Sequence, residues 1–165
     1  MNKLILAAAA VVLTLPASAG LASGDHGRRV LHIEGVWVTE VTLRNCATGE
    51  VAPVPIPIFP AINTFHWGGT MSEHGARFSP ALRNSGQGIW KRTGPRTFKK
   101  RFLFQRFDVN GFFIGMQDVA GTMTLSDDGQ SFSTTGAVTL TDASGAVVVR
   151  GCATEEGQRV GLSAP

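Results

Sequence analysis

The sequence has 165 residues, with 15 basic and 12 acidic side chains and a formal net charge of +3, too mild an excess to indicate nucleic-acid binding by itself. Its 20 glycines, 8 prolines and lack of long helical periodicity favour an all-β chain rich in turns. It contains no nucleophile elbow, phosphate-binding loop, tight metal-binding motif or flavin or nicotinamide fingerprint, so we expect no cofactor and no metal.

Residues 1–19 have the pattern of a signal peptide. Lys3 supplies the positive charge, Leu4 to Leu15 is apolar, and Ala17-Ser18-Ala19 is a small-residue cleavage site. The apolar run is shorter than the roughly 20 residues that a spanning helix needs, so we expect no stable membrane insertion. We therefore expect an exported protein, periplasmic or extracellular, with a flexible N-terminal arm (20–32) and a single domain (33–165).

The first half of the domain alternates in the manner of strands. In Ile33–Leu43, Trp37 and every second residue after it share one face. The proline-rich segment 51–60 favours an extended connector, since proline cannot donate to a sheet ladder. We expect a second strand over Ala61–Met71, bulged at Gly68-Gly69, and then the longest irregular stretch, 72–87.

The centre of the chain predicts three consecutive antiparallel strands. Thr93-Gly94-Pro95 and the Asn110-Gly111 turn separate strands over 88–92, 96–108 and 112–125, all rich in residues that favour a half-buried sheet. Further strands are expected over 130–141 and 146–152, with a short last one over 157–162. The prediction is all-β: a single antiparallel up-and-down barrel of about seven to eight strands.

The two cysteines, Cys46 and Cys152, favour a disulfide over a metal site, because the count is even and no second cysteine lies beside either. In this meander they end the first and seventh strands, which run the same way and so end at the same rim. The alternative is two buried free thiols.

The Gly35-Val36-Trp37 triplet at the start of the first strand resembles the lipocalin and wider calycin pattern. That resemblance implies a tryptophan closing one end of the barrel, with Arg159, or in second place Arg150, packed across it. The order of turns also resembles allene-oxide-cyclase-like and dirigent barrels. The blocks Gly88–Phe98 and Gly151–Glu155 are similar to those of a group of bacterial exported proteins, a likeness that implies no particular activity.

The segment from Asn63 to His74 is the best candidate for chemistry. His66 and Glu73 could act as acid and base, since histidine titrates near neutrality, or could bind a divalent metal together with His74. The alternative is a strand-end histidine bonded to backbone and two exposed loop residues.

A second candidate is a run of cations interleaved with phenylalanines. Its members could attract nucleic acid, an anionic membrane or an acidic head group, or could be the solvated sides of a hairpin: Lys91, Arg92, Arg96, Lys99, Lys100, Arg101 and Arg106. Of these, Arg106 could equally point into the barrel or away from it.

We favour an exported barrel that binds a small apolar or amphipathic ligand, and no nucleic acid, over an enzyme. The expected ligand-binding residues are Trp37, His66, Trp67, Trp90, Phe102, Phe104 and Arg106. One alternative is a cyclase or isomerase of the allene-oxide-cyclase-like type, with His66 and Glu73 as catalytic candidates. The other is an interaction module whose barrel is filled.

Overall fold

The computed structural model describes residues 31–162, which form a closed barrel of eight antiparallel strands in up-and-down order. The strands are β1 (Gly35–Arg44), β2 (Ile58–Phe65), β3 (Thr70–Gly75), β4 (Gly86–Arg92), β5 (Thr97–Phe107), β6 (Phe113–Leu125), β7 (Ser131–Thr141) and β8 (Val147–Arg159). A single turn of 3₁₀ helix (Pro80–Leu82) precedes β4. The predicted all-β barrel is confirmed, and pairing of β8 with β1 closes the sheet.

The two ends of the barrel differ in their connections. Because the strands alternate in direction, the β1–β2, β3–β4, β5–β6 and β7–β8 connections all lie at one end, here called the mouth. The β2–β3, β4–β5 and β6–β7 turns lie at the other, here called the closed end. No helix within residues 31–162 is long and apolar enough to cross a membrane.

The predicted second strand over 61–71 is wrong. The chain turns at His66–Gly69, where Gly68 and Gly69 have φ of 91° and 90°, and this turn separates β2 from β3. A two-glycine turn and a glycine bulge look alike in sequence, because both need positive φ. Residues 72–75 consequently belong to β3 rather than to the irregular stretch, and residues 157–159 continue β8 instead of forming a separate strand.

The predicted disulfide is confirmed. Cys46 is bonded to Cys152, with 5.2 Å between their Cα atoms. The strand-counting argument for it was wrong, since β8 is antiparallel to β1 and Cys152 lies within it. The two cysteines meet because Arg44, at the end of β1, is paired with Cys152 across the ladder.

Replacing both cysteines by serine should lower the free energy of unfolding by about 2–4 kcal/mol, because the bond closes a loop across most of the chain. Urea unfolding of the double variant beside the oxidised wild type measures this difference. Wild type unfolded in the presence of reductant should give the same loss. A difference below about 1 kcal/mol would show that the bond hardly constrains the unfolded chain.

An apolar plug fills the closed end, centred on Trp37, which is fully buried. Its Nε1 donates to the Ile33 carbonyl at 2.8 Å, and the Arg159 guanidinium lies over its ring at 4.3 Å. Other members of the plug are Leu31, Phe65, Met71, Phe98, Met123, Leu125 and Phe132. The contact between Arg159 and Trp37 that the calycin resemblance implies is present.

Gly35, two residues before this tryptophan, has a steric role. Gly35 has φ of +129°, and a Cβ on it would lie 3.0 Å from Arg159 Nη1. Arg159 donates to the carbonyls of Glu34 (2.6 Å), Gly129 (3.0 Å) and His32, so it ties the incoming chain to the β6–β7 turn. Burial lowers the pKa of Arg159, and Glu34 partly opposes this effect.

Residues 1–30 and 163–165 lie outside the described residues, so the predicted leader and most of the predicted arm are not covered. Leu31, which we had placed in the arm, is buried in the plug.

Candidate functional site

A small cavity lies inside the barrel above the plug. Its volume is about 60 Å³, which exceeds the roughly 10–15 Å³ that a cavity needs to hold one water molecule. Its wall is mostly apolar, formed by residues that include Val41, Leu43, Phe59, Phe102, Phe104, Val119 and Val138. Two ion pairs interrupt this wall.

The first ion pair joins Lys100 of β5 to Glu155 of β8 across the barrel. Both residues are buried, and Asn63 Nδ2 donates to the other Glu155 oxygen at 2.5 Å. The Lys100 Nζ atom lies 5.6 to 6.0 Å from the ring centroids of Phe65, Phe102 and Phe132. Since Phe65 and Phe132 belong to the plug and Phe102 lines the cavity, this pair forms the cavity floor.

The second ion pair joins Glu73 of β3 to Arg83, which follows the 3₁₀ turn. Arg83 Nη2 lies 2.5 Å from Glu73 Oε2, and its guanidinium stacks 3.6 Å from the centroid of Phe104. Gly75 and Gly86 leave the room that this pair needs, since a Cβ on either would lie within 2.8 Å of a Glu73 carboxylate oxygen. Both charges are buried and paired, as buried charges must be to avoid a large desolvation cost.

Two buried polar atoms near the floor have no hydrogen-bond partner within residues 31–162: Asn63 Oδ1 and Thr134 Oγ1. Thr134 lines the cavity and is paired with Glu155 in the β7–β8 ladder. A polar group entering the cavity would therefore find an acceptor and donor at Thr134 beside the two charges of the floor.

A larger groove, with a volume of about 350 Å³, opens at the mouth. Leu43, Gln117 and Val138 line both the groove and the cavity, so the two adjoin. Among the described residues, the groove is lined by four arginines and by no acidic side chain: Arg44, Arg77, Arg106 and Arg150. Within residues 31–162 none of the four forms an ion pair, and burial lowers the pKa of Arg77.

The structure divides the predicted ligand-binding residues among three places. Phe102 and Phe104 line the cavity, and Arg106 lines the mouth groove. Trp37 is inside the plug, where it contacts Phe132 and Arg159. Trp90 packs against Phe65 and Phe98 beside that plug.

His66 and Trp67 lie in the exposed β2–β3 turn at the closed end, whereas Glu73 is inside the barrel and paired with Arg83. No hydrogen bond or ion pair joins His66 to Glu73 in the described part of the chain. His74 is exposed on β3. Residues 31–162 contain no group of three or more histidine, cysteine or acidic side chains that could hold a metal ion.

The run of cations does not form one patch. Lys91, Lys99 and Arg101 line an open depression of about 620 Å³ on the outer wall, where Arg101 is paired with Asp118. Lys100 points inward, and sequence reasoning missed it. The inward direction of Lys100 could have been predicted, because this residue alternates with Phe98, Phe102 and Phe104 on one face of β5. Nothing in the sequence indicates that Arg83 reaches Glu73.

The chain matches no protein-family model, and no curated protein matches it in sequence. The closed eight-stranded barrel is compatible with a calycin-like fold. The chemistry available at the site is that of a narrow apolar interior with a charged floor and a wider, cationic mouth.

Proposed function

We propose that this protein binds a small anionic amphiphile at the mouth of its barrel. The observation that carries the proposal is the contiguity of an apolar cavity with a groove that four arginines and no acid line in the described part of the chain. Arginine forks match carboxylate, sulfate and phosphate oxygens, and the groove volume falls in the range of about 300–1,000 Å³ typical of ligand sites.

The two spaces suit different parts of such a ligand. The groove would hold the head group and most of the body, because the inner cavity admits only a few atoms. An apolar end would pass Leu43 and Val138 toward the Phe102 and Phe104 rings. Arg106 is the polar anchor that this pose favours over His66, since His66 lies at the opposite end.

A pair of fluorescent probes tests the proposal: a dansyl-labelled fatty acid and the dansyl-labelled amine of the same chain length. The fatty acid should bind and the amine should bind at least about tenfold more weakly, because only the acid can pair with arginine. Equal binding of the two probes would contradict the anionic head group, and binding of neither would contradict the proposal as a whole.

Replacing Arg106 by glutamine should weaken binding of the fatty-acid probe about tenfold or more, the effect of losing a hydrogen bond to a charged group. Lys91→Gln is the matched control, because it removes one exposed cation from the outer wall. Thermal melting of both variants confirms that they remain folded. A loss of the same size in Lys91→Gln would mean that only net charge matters.

The alternative of a cyclase or isomerase stays a prediction, but its candidate catalytic residues change. Within residues 31–162 the carboxylates that line the cavity are Glu73 and Glu155, and each is held by a cation. A turnover assay would therefore examine these two residues rather than His66. Export of the chain is part of the same proposal, and the Cys46–Cys152 bond supports a non-reducing compartment.

A further inference from the structure

The mouth carries most of the exposed large apolar side chains of the described chain. Of twenty large apolar side chains that are exposed in residues 31–162, twelve lie in the mouth connections or at the strand ends beside them. They are Val51, Val54, Ile56, Ile58, Phe78, Val109, Phe112, Phe113, Ile114, Val147, Val148 and Val149. Exposed apolar surface concentrated in this way marks an interaction site.

Two hairpins extend this surface beyond the barrel rim. Residues 113–116 of β6 are paired with β5 but not with β7, and residues 147–151 of β8 are paired with β7 but not with β1. At the tip of the first hairpin Val109 is 88% exposed and Phe112 is 70% exposed. The apolar side chains thus stand on separate projections around the groove rather than on one flat face.

The charge between these projections is positive. Arg44, Arg77, Arg106 and Arg150 line the groove. The acidic residues nearby are Glu50 and the turn residues Asp108 and Asp142, whose Oδ1 atoms accept backbone N–H groups of their own turns. Neither those two carboxylates nor Glu50 lines the groove, and the four arginines that line it have no ionic partner in the described chain.

We propose that the mouth of the barrel docks on a lipid bilayer that contains anionic head groups. The mouth has apolar projections around a group of arginines. A bilayer offers a matching partner for each, namely acyl chains for the projections and anionic head groups for the arginines. The hairpin tips enter the boundary between head groups and acyl chains, and the guanidinium groups remain among the lipid phosphates. Docking is reversible and peripheral, and it would place the ligand groove against the source of an amphiphile, although it does not depend on ligand binding.

The test is flotation of the protein with vesicles of phosphatidylcholine alone or mixed with phosphatidylglycerol. The chain from Gly20 onward is used, because the predicted leader would itself bind lipid; it retains every described residue. We expect binding to the anionic vesicles and at least about tenfold less to the neutral ones. Absence of binding to anionic vesicles would overturn the proposal.

Matched variants locate the contact. Phe112→Asp at the mouth should weaken binding about tenfold or more, whereas Trp67→Asp, at an equally exposed apolar residue of the closed end, should leave it unchanged. Arg150→Gln should weaken binding about fivefold, the equivalent of ~1 kcal/mol per cation near an anionic surface, and Lys99→Gln should not. Equal losses in the mouth variants and in their controls would overturn docking through the mouth.

A second copy of this chain is the competing occupant of the apolar mouth. Light scattering of the lipid-free protein distinguishes it. A dimer that Phe112→Asp dissociates, combined with no binding to anionic vesicles, would show that the mouth is a protein interface and would overturn the proposal. A monomer that floats with anionic vesicles is the expected result.

Discussion

Replacing Lys100 by methionine should lower the free energy of unfolding by about 3–5 kcal/mol, the usual cost of breaking a buried ion pair from one side. Lys100 is 4% exposed and neutralises Glu155 inside the barrel. Methionine fills similar space, so the loss comes from the charge left on Glu155 rather than from a cavity. This is a large fraction of the roughly 5–15 kcal/mol by which a domain is stable.

Two further variants separate this cause from others. Lys99→Met makes the same substitution one residue earlier, on the outer face of β5, and should change stability by less than about 0.5 kcal/mol. The double variant Lys100→Met/Glu155→Leu removes both charges and should recover most of the loss. Urea unfolding of the wild type, Lys100→Met, Glu155→Leu and the double variant gives the coupling energy between the two side chains, with Lys99→Met as the control. If the double variant is as unstable as Lys100→Met, the charge on Glu155 is not the cause.

Trp37→Ala should destabilise the protein by about 3–5 kcal/mol, because it empties the centre of the plug. The ring is fully buried, contacts Phe132 with a centroid separation of 5.0 Å and carries the Arg159 guanidinium. The substitution also leaves the Ile33 carbonyl without its 2.8 Å donor. Trp67→Ala is the matched control: that ring is 82% exposed, so we expect a change below about 0.5 kcal/mol.

Trp37→Phe adds a finer test of the same contact. Phenylalanine keeps an aromatic face for Arg159 but lacks the indole N–H, so we expect a smaller loss than with alanine. Thermal melting of the three tryptophan variants ranks them. If Trp37→Ala melts within a few degrees of the wild type, the plug does not hold the barrel closed at this end.

Most of the fold could be predicted from the sequence, because strand alternation and turn chemistry are local. The strands from Gly86 to Thr141 lie within two residues of their predicted bounds. The disulfide could be predicted from cysteine number alone. The error at His66–Gly69 arose where two consecutive glycines fit both a turn and a bulge, and it shifted the numbering of the later strands by one.

Less of the site could be predicted. Phe102 and Phe104, which line the cavity, were among the predicted ligand-binding residues, and Arg106 was identified as a candidate with its direction undecided. The pairing of Lys100 with Glu155 was missed, because these residues are 55 positions apart on strands that are not neighbours. The pairing of Glu73 with Arg83 was missed because Arg83 lies in an irregular connection without a periodic face.

The sequence by itself determined the β-strands, most of their turns, the disulfide and the Gly35–Trp37 start of the barrel, since each depends on residues close in the chain or on a single chemical pairing. Only the tertiary structure decided how the buried charges are paired and which end is open. Closure of the barrel brings side chains from strands that are not neighbours into one interior. It also places every second connection at the same end. The charged floor, the arginine groove and the apolar mouth exist only once the barrel has closed.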